Sequence, residues 1–188
     1  MKPIPFAALA VSLLSSASVA AQDSLCGKDL ICAADPQTVV AALQDIGYRA
    51  ELSSDETGPY IVSAASGYRF VIFFNDCNMA RDSKSLQFNL RIGARDFHTA
   101  PYANGYNRRY RFAQLSAQTD NELRLSNDIN TIGGKTKANF SAILSDWAGA
   151  IGAYANYDRE QASSAKPAPV APPAPPTIPY PPKAKEPK

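Results

Sequence analysis

The sequence predicts an α+β fold in which helices pack on one face of an antiparallel sheet. Three observations predict it. A helical repeat of apolar residues comes first, a series of short alternating runs joined by polar turns comes next, and a second helical repeat closes the folded part. With 188 residues, 45% of them hydrophobic, the chain is long enough for one domain with appendages and scarcely for two.

The first helix is predicted to begin at Asp35-Pro36. The Asp35 side chain suits the cap of the free backbone amides, and proline is favoured in the first helical turn. Val39, Leu43 and Ile46 then recur on one helical face. Gly47 supplies the left-handed residue that commonly ends a helix. The spacing therefore predicts a short amphipathic helix with Leu43 in the core.

Four strand-like runs follow, at 48–52, 60–62, 68–74 and 86–92. Residues 68–74 are almost wholly apolar or aromatic, which predicts a central strand covered on both faces. Residues 86–92 alternate strictly, which is typical of a half-buried strand. Because short turns join the four runs, they predict an antiparallel meander.

The second half predicts a short helix near Pro101–Arg108, a strand marked by Phe112 and Leu115, and a return strand over 123–129. Thr136 is a plausible cap for a last helix, whose apolar residues follow the 3.6-residue period from 140 to 154. The side chains predicted to form the core are Leu43, Phe73, Phe88, Phe112, Phe140 and Trp147.

The first 21 residues have the pattern of a secretory signal peptide. Met1-Lys2 is a short basic start, residues 4–14 are mainly apolar, and Ser18-Val19-Ala20-Ala21 is a small-residue cleavage region. A membrane anchor is the alternative, but the serine-interrupted apolar stretch is shorter than the roughly 20 residues that a span needs. We therefore expect export to the periplasm or secretion, with cleavage after Ala20 or Ala21.

The end of the chain differs in composition from the rest. Ten of the fifteen prolines lie between Pro167 and Pro187, and four lysines after position 163 face a single glutamate. Proline supplies no amide donor, so such a segment favours extended polyproline II structure over a helix or a sheet. The expected organisation is a signal peptide at 1–21, a linker at 22–34, an α+β domain at 35–157 and a disordered, Pro-rich basic tail at 158–188.

Three cysteines permit three pairings in an exported protein. Cys26 and Cys32 close a short loop that contains Gly27 and Asp29, both suited to a turn. This spacing favours a Cys26–Cys32 disulfide and leaves Cys77 as a free thiol. Spacing alone does not decide among the three pairings.

Charge and motif content argue against nucleic-acid binding and against catalysis. The run Arg108-Arg109-Tyr110-Arg111 is short, and it is interpreted as a solvated, strand-like face rather than as a basic stripe for nucleic acid. His98 is the single histidine, and no Gly-x-Ser-x-Gly motif accompanies it, so a serine hydrolase has little support. No catalytic residue, cofactor or metal ligand is assigned from the sequence.

Several segments within roughly residues 33–157 follow one another in a distinctive order and spacing. They are Asp45-Ile46-Gly47-Tyr48, Ser85-Leu86-Gln87-Phe88, residues 107–113, residues 123–129, Gly133-Gly134 and the helix around Trp147. Together these segments resemble the YbjN-domain family. The resemblance implies a bacterial sensory transduction regulator with a fold similar to type III secretion chaperones and without established catalytic residues. It also implies a second cysteine soon after Cys77, where this chain has Ser83 six positions on.

These observations favour an exported, non-catalytic interaction module of the bacterial cell envelope, regulatory or chaperone-like. Its expected partners are an unknown protein, an extended peptide or a second copy of itself, and the basic tail is expected to suit an anionic envelope polymer. Tyr102, Tyr106 and Tyr110 either form the interaction surface or cover the open side of the sheet. The alternatives are a structural protein that uses its tail as a tether and an unrecognised hydrolase that uses His98.

Overall fold

The computed structural model describes residues 26–78 and 82–165. Its elements are α1 (Pro36–Asp45), β1 (Glu51–Asp55), β2 (Gly58–Ala65), β3 (Tyr68–Asn75), β4 (Ser85–Ile92), α2 (Ala100–Arg109), β5 (Gln114–Ala117), β6 (Leu123–Asn130) and α3 (Lys137–Ala165). The strands form one sheet in the order β1-β2-β3-β4-β6-β5, and every neighbouring pair is antiparallel. The predicted α+β fold class is confirmed.

Local chemistry explains where the helices begin. Asp35 Oδ1 accepts a hydrogen bond from the Gln37 amide at 3.1 Å, as expected of a capping aspartate. Thr99 caps α2, and the Thr136 side chain accepts from the amide of Asn139 at 3.2 Å in the first turn of α3. The short helix expected near Pro101–Arg108 is α2.

The core lies between the sheet and the helices. On β3, Phe70, Ile72 and Phe74 point to the same side and are buried, and β4 contributes Phe88 from the neighbouring strand. Trp147 of α3 lies against two of these rings, with centroids 5.6 Å from Phe70 and 5.7 Å from Phe88. Leu43 and Phe140 are also buried in this core.

Two of the predicted core residues lie elsewhere. Phe73 is half-buried because it alternates with Phe70, Ile72 and Phe74 and therefore points to the opposite side of the sheet. Among the described residues no helix covers that side, so the expectation that β3 is covered on both faces is wrong. An apolar run alone does not tell whether one face or both are packed.

Phe112 is the second correction. It is 55% exposed, because β5 begins only at Gln114 and the alternation that buries Leu115 does not extend back to it. Its φ is +67°, a left-handed conformation that is uncommon for a bulky residue. Arg108 and Arg109, expected to be strand-like, are instead the last two residues of α2.

The last helix extends beyond residue 157, the predicted end of the domain. It continues to Ala165, so residues 158–165 belong to α3 and not to a disordered tail. The expected signal peptide at 1–21 and the rest of the Pro-rich tail, 166–188, lie outside the described residues. Within the described ranges, no helix combines the length and the apolar character needed to span a membrane.

Candidate functional site: the open face of the sheet

One side of the sheet is uncovered by any described residue, and we call it the open face. It is formed by the residues that alternate with the buried ones. From β2 to β6 these are Tyr60, Val62, Ala64, Arg69, Val71, Phe73, Asn75, Ser85, Gln87, Asn89, Arg91, Arg124, Ser126, Asp128 and Asn130. Strand pairing orders these side chains into rows across the sheet, so the register fixes the chemistry of each part of the face.

The centre of the open face is apolar. Val62 pairs with Val71, and Tyr60 pairs with Phe73, so four half-buried side chains form a continuous patch on β2 and β3. The patch continues on β4 into amides, because Phe73 pairs with Gln87 and Val71 with Asn89. Together with the neighbouring arginines, Val62, Val71 and Phe73 line a shallow depression of about 550 Å³.

One end of the open face is basic. Arg91 and Arg124 are paired across β4 and β6, and Arg69 lies at the corresponding end of β3. Glu122 accepts a hydrogen bond from Arg91 Nε at 2.5 Å, and this contact raises the pKa of the Arg91 guanidinium. Among residues 26–78 and 82–165, Arg69 and Arg124 make no ion pair, so their charges remain available to a partner.

The opposite end of the open face is acidic. Asp128 accepts a hydrogen bond from Gln87 Nε2 at 2.9 Å, and Asp76 accepts one from the Ser85 hydroxyl at 2.5 Å. On β1, hydrogen bonds from the Thr57 hydroxyl and amide lower the pKa of the Asp55 carboxyl. The open face is therefore polarised along its strands, with an excess of arginines over Glu51 and Glu122 at one end and these carboxylates at the other.

The tyrosines expected to provide a surface lie instead in the helical layer. Tyr102 and Tyr106 are buried and Tyr110 is half-buried, packed against α3 and not over the open side of the sheet. The Tyr106 hydroxyl donates to the Ala150 carbonyl at 3.0 Å. Burial, with a smaller contribution from neighbouring Tyr110, raises the pKa of Tyr106 to about 12. These rings hold α2 on α3.

His98 is enclosed beneath the same helices. Its ring is 0% exposed, and its Nε2 lies 3.3 Å from Asp158 Oδ1. Asp158 also accepts hydrogen bonds from the Tyr102 hydroxyl at 3.0 Å and from Arg95 at 2.9 Å. A general base must reach the proton of its substrate, and this imidazole has no accessible edge. The arrangement is a polar cluster that fixes α3 to the loop before α2.

The cysteines complete the inventory of reactive groups. Cys26 and Cys32 form a disulfide, the pairing that their spacing favours, and Cys77 is a free thiol in contact with Ser83. In the part of the chain that the structure describes, no three His, Cys, Asp or Glu side chains are grouped to hold a metal ion.

Sequence reasoning missed the arginine end of the open face. Arg69, Arg91 and Arg124 are 22 and 33 residues apart in the chain, and no local motif connects them. The alternation within each strand could have shown their face, because each arginine alternates with residues that the apolar pattern places in the core. Alternation shows which face of a strand a residue lies on, but it does not show which strands are neighbours. Only the strand order therefore brings the three arginines together.

Comparisons with known proteins identify relatives by family and by fold. The model of the YbjN family, described as "Putative bacterial sensory transduction regulator", matches residues 35–160. None of the curated proteins compared with the chain matches it.

Two solved structures are similar to the chain. The crystal structure of YbjN from E. coli is 15% identical and has a TM-score of 0.49, with 72% of this chain and 96% of that chain covered. An uncharacterized protein from Methanothermobacter thermautotrophicus is 11% identical and has a TM-score of 0.44, with 66% and 96% covered.

Proposed function

The chain belongs to the YbjN family, and on that premise we propose that it is an exported, non-catalytic interaction module of the bacterial cell envelope. The family is described as a regulator and not as an enzyme. The secretory pattern of residues 1–21 supports export. A disulfide between Cys26 and Cys32 fits an oxidising compartment. The module acts by binding a protein partner.

The observation that carries this function is the uncovered open face. Side chains such as Val71 and Phe73 are only half-buried there, whereas the alternate residues of the same strand are enclosed. Six strands at about 4.8 Å spacing and about 3.4 Å per residue give the sheet face an area of roughly 700 Å². Stable complexes of standard size bury about 600–1,000 Å² on each partner. The face is therefore large enough to be an interface.

We assign the open face to a second copy of the chain, because its charges are self-complementary. Two sheets related by a two-fold axis that crosses the strands present the arginine end of one copy to the acidic end of the other. The same axis stacks the apolar centres, with Val71 of one copy near Phe73 of the other. An axis parallel to the strands would instead oppose arginine to arginine, which is unfavourable.

Sedimentation velocity over a range of concentrations tests the interface. The wild-type chain should form a dimer, and Phe73→Ser should weaken association at least about tenfold because the central apolar contact is lost. Arg124→Asp and Asp128→Arg should each weaken self-association. A mixture of these two variants should recover part of it through the restored pairing of opposite charges.

Arg111→Asp is the matched control, since Arg111 lies outside the open face and its substitution changes the net charge equally. Dimerisation of this control should equal that of the wild type. A folded wild-type chain that stays monomeric at high concentration contradicts the dimer. If that monomer binds an extended envelope peptide and loses it on Phe73→Ser, the face serves a client segment instead.

A further inference from the structure

A second surface lies at the end of α2, in the loop that leads into β5. We call it the arginine corner; it comprises Arg108, Arg109, Arg111 and Phe112. The Phe112 side chain is 55% exposed, and its backbone has a φ of +67°. A bulky residue rarely adopts this conformation, so an exposed phenyl ring held there is a feature that folding alone does not explain.

The loop that carries Phe112 is fixed at both ends. The Asn107 side chain forms two hydrogen bonds with the backbone of Leu115, one to the carbonyl and one from the amide, both 2.8 Å long. Between them, the Tyr110 ring packs inward against Tyr106 with 4.8 Å between centroids. The chain therefore presents Phe112 outward from a closed loop and not from a frayed end.

Cationic groups surround this ring. The Arg111 guanidinium carbon lies 5.3 Å from the centroid of Phe112. Arg109 stacks 5.5 Å from the Tyr157 ring and contacts Glu160 at 3.3 Å. Among residues 26–78 and 82–165, Arg108 and Arg111 form no ion pair. The corner thus combines positive charge in excess with one exposed apolar ring.

The remainder of the chain continues from the same place. Ser164, next to the end of α3, and Arg108 line one groove of about 700 Å³. The 23 residues that follow Ala165 contain four lysines and one glutamate. These residues therefore carry a net charge of +3, which has the same sign as the charge of the arginine corner.

We propose that the arginine corner binds the surface of an anionic phospholipid bilayer. Arginines bind lipid phosphates, and Phe112 enters the boundary between headgroups and acyl chains. An acidic polypeptide would satisfy the arginines but would leave the phenyl ring in water. A bilayer offers phosphate and hydrocarbon side by side, which matches the composition of the corner.

Vesicle co-sedimentation tests the proposal, with the full chain and the same N-terminus in every variant. The probes are phosphatidylcholine vesicles with and without about 30 mol% phosphatidylglycerol. The wild type should bind the anionic vesicles more tightly, and added salt should weaken that binding. Arg108→Gln with Arg111→Gln should lower the affinity about 30-fold, since each surface cation contributes a factor of about five. Phe112→Ser should lower it about tenfold.

Matched controls come from other surfaces of the chain. Lys28→Gln with Lys137→Gln removes the same charge from exposed positions that belong neither to the open face nor to the arginine corner. Ile132→Ser removes an apolar side chain that is 53% exposed elsewhere. Both controls should bind vesicles like the wild type, and thermal unfolding should show that every variant is folded.

Three results would overturn the membrane proposal. One is equal loss of vesicle binding in Lys28→Gln with Lys137→Gln, which would indicate an effect of net charge alone. Another is unchanged binding in both corner variants combined with complete loss on deletion of 166–188. The third is binding of polyglutamate that depends on the corner while anionic vesicles are ignored, which would assign the surface to an acidic polymer.

Discussion

The two faces of this sheet are built from the same strands, yet they have different physical roles. On the helix-covered face, Phe70, Ile72 and Phe74 are buried, and Trp147 of α3 lies against Phe70. On the open face, Val71 and Phe73 are equally apolar by sequence but remain half-exposed. The difference teaches that hydrophobicity within β3 does not separate the core from the interface. What separates them is whether a helix reaches that side of the sheet.

Truncation of one aromatic side chain from each face measures this difference most directly. Trp147→Ala should destabilise the domain by about 3–5 kcal/mol, because a fully buried ring is lost between Phe70 and Phe88. Phe73→Ala should cost about 1 kcal/mol or less, since its ring is already partly in water. Urea denaturation of both variants gives the free energies of unfolding.

A control for this comparison is Phe70→Ala, which truncates the same residue type on the same strand but on the helix-covered face. It should resemble Trp147→Ala. Equal destabilisation by Phe70→Ala and Phe73→Ala would show that both faces of the sheet are packed.

Alkaline pH should destabilise the domain through the buried tyrosines on the helix-covered side of the sheet. Burial raises the pKa of Tyr106 to about 12. Burial is also the main reason why the pKa values of Tyr102 and Tyr154 are raised. An unfolded tyrosine ionises near pH 10. The neutral hydroxyls therefore stabilise the fold fully below about pH 10, and this contribution is lost as pH rises through about 12.

Circular dichroism and tyrosinate absorbance, followed together, measure this loss. Unfolding and ionisation of the buried rings should coincide. Tyr106→Phe removes the hydroxyl that donates to Ala150, so it should cost about 1 kcal/mol at neutral pH and make the alkaline loss smaller. A fold that keeps its full stability above pH 12 would contradict the burial of this cluster.

The smallest expected effect concerns the strained residue at the arginine corner. Phe112→Asn should stabilise the domain by about 1 kcal/mol, because asparagine tolerates the left-handed backbone better than phenylalanine does. Ile132→Asn is the control, since Ile132 is as exposed as Phe112 but has no positive φ. Thermal unfolding compares the two, and a destabilised Phe112→Asn would mean that the ring contributes to packing.

The alternation of residues in each strand determined much of this protein from sequence alone. It separates Leu86, Phe88 and Leu90 from the polar residues between them, and the structure buries all three. The cap at Asp35 and the apolar repeat around Trp147 likewise place α1 and α3, because capping and helical periodicity are local properties of the chain. The YbjN resemblance also lay in such local segments and in their order.

Tertiary structure decided everything that depends on neighbours distant in sequence. Only the order of the strands unites Arg69, Arg91 and Arg124 at one end of the open face. Only the docking of α2 on α3 buries Tyr102 and Tyr106, which the sequence predicted either as an interaction surface or as a cover for the open side of the sheet. The position of a residue in the helical or strand repeat fixes the direction of its side chain. Burial and charge pairing depend instead on the element packed against that side chain, which is a property of the folded chain.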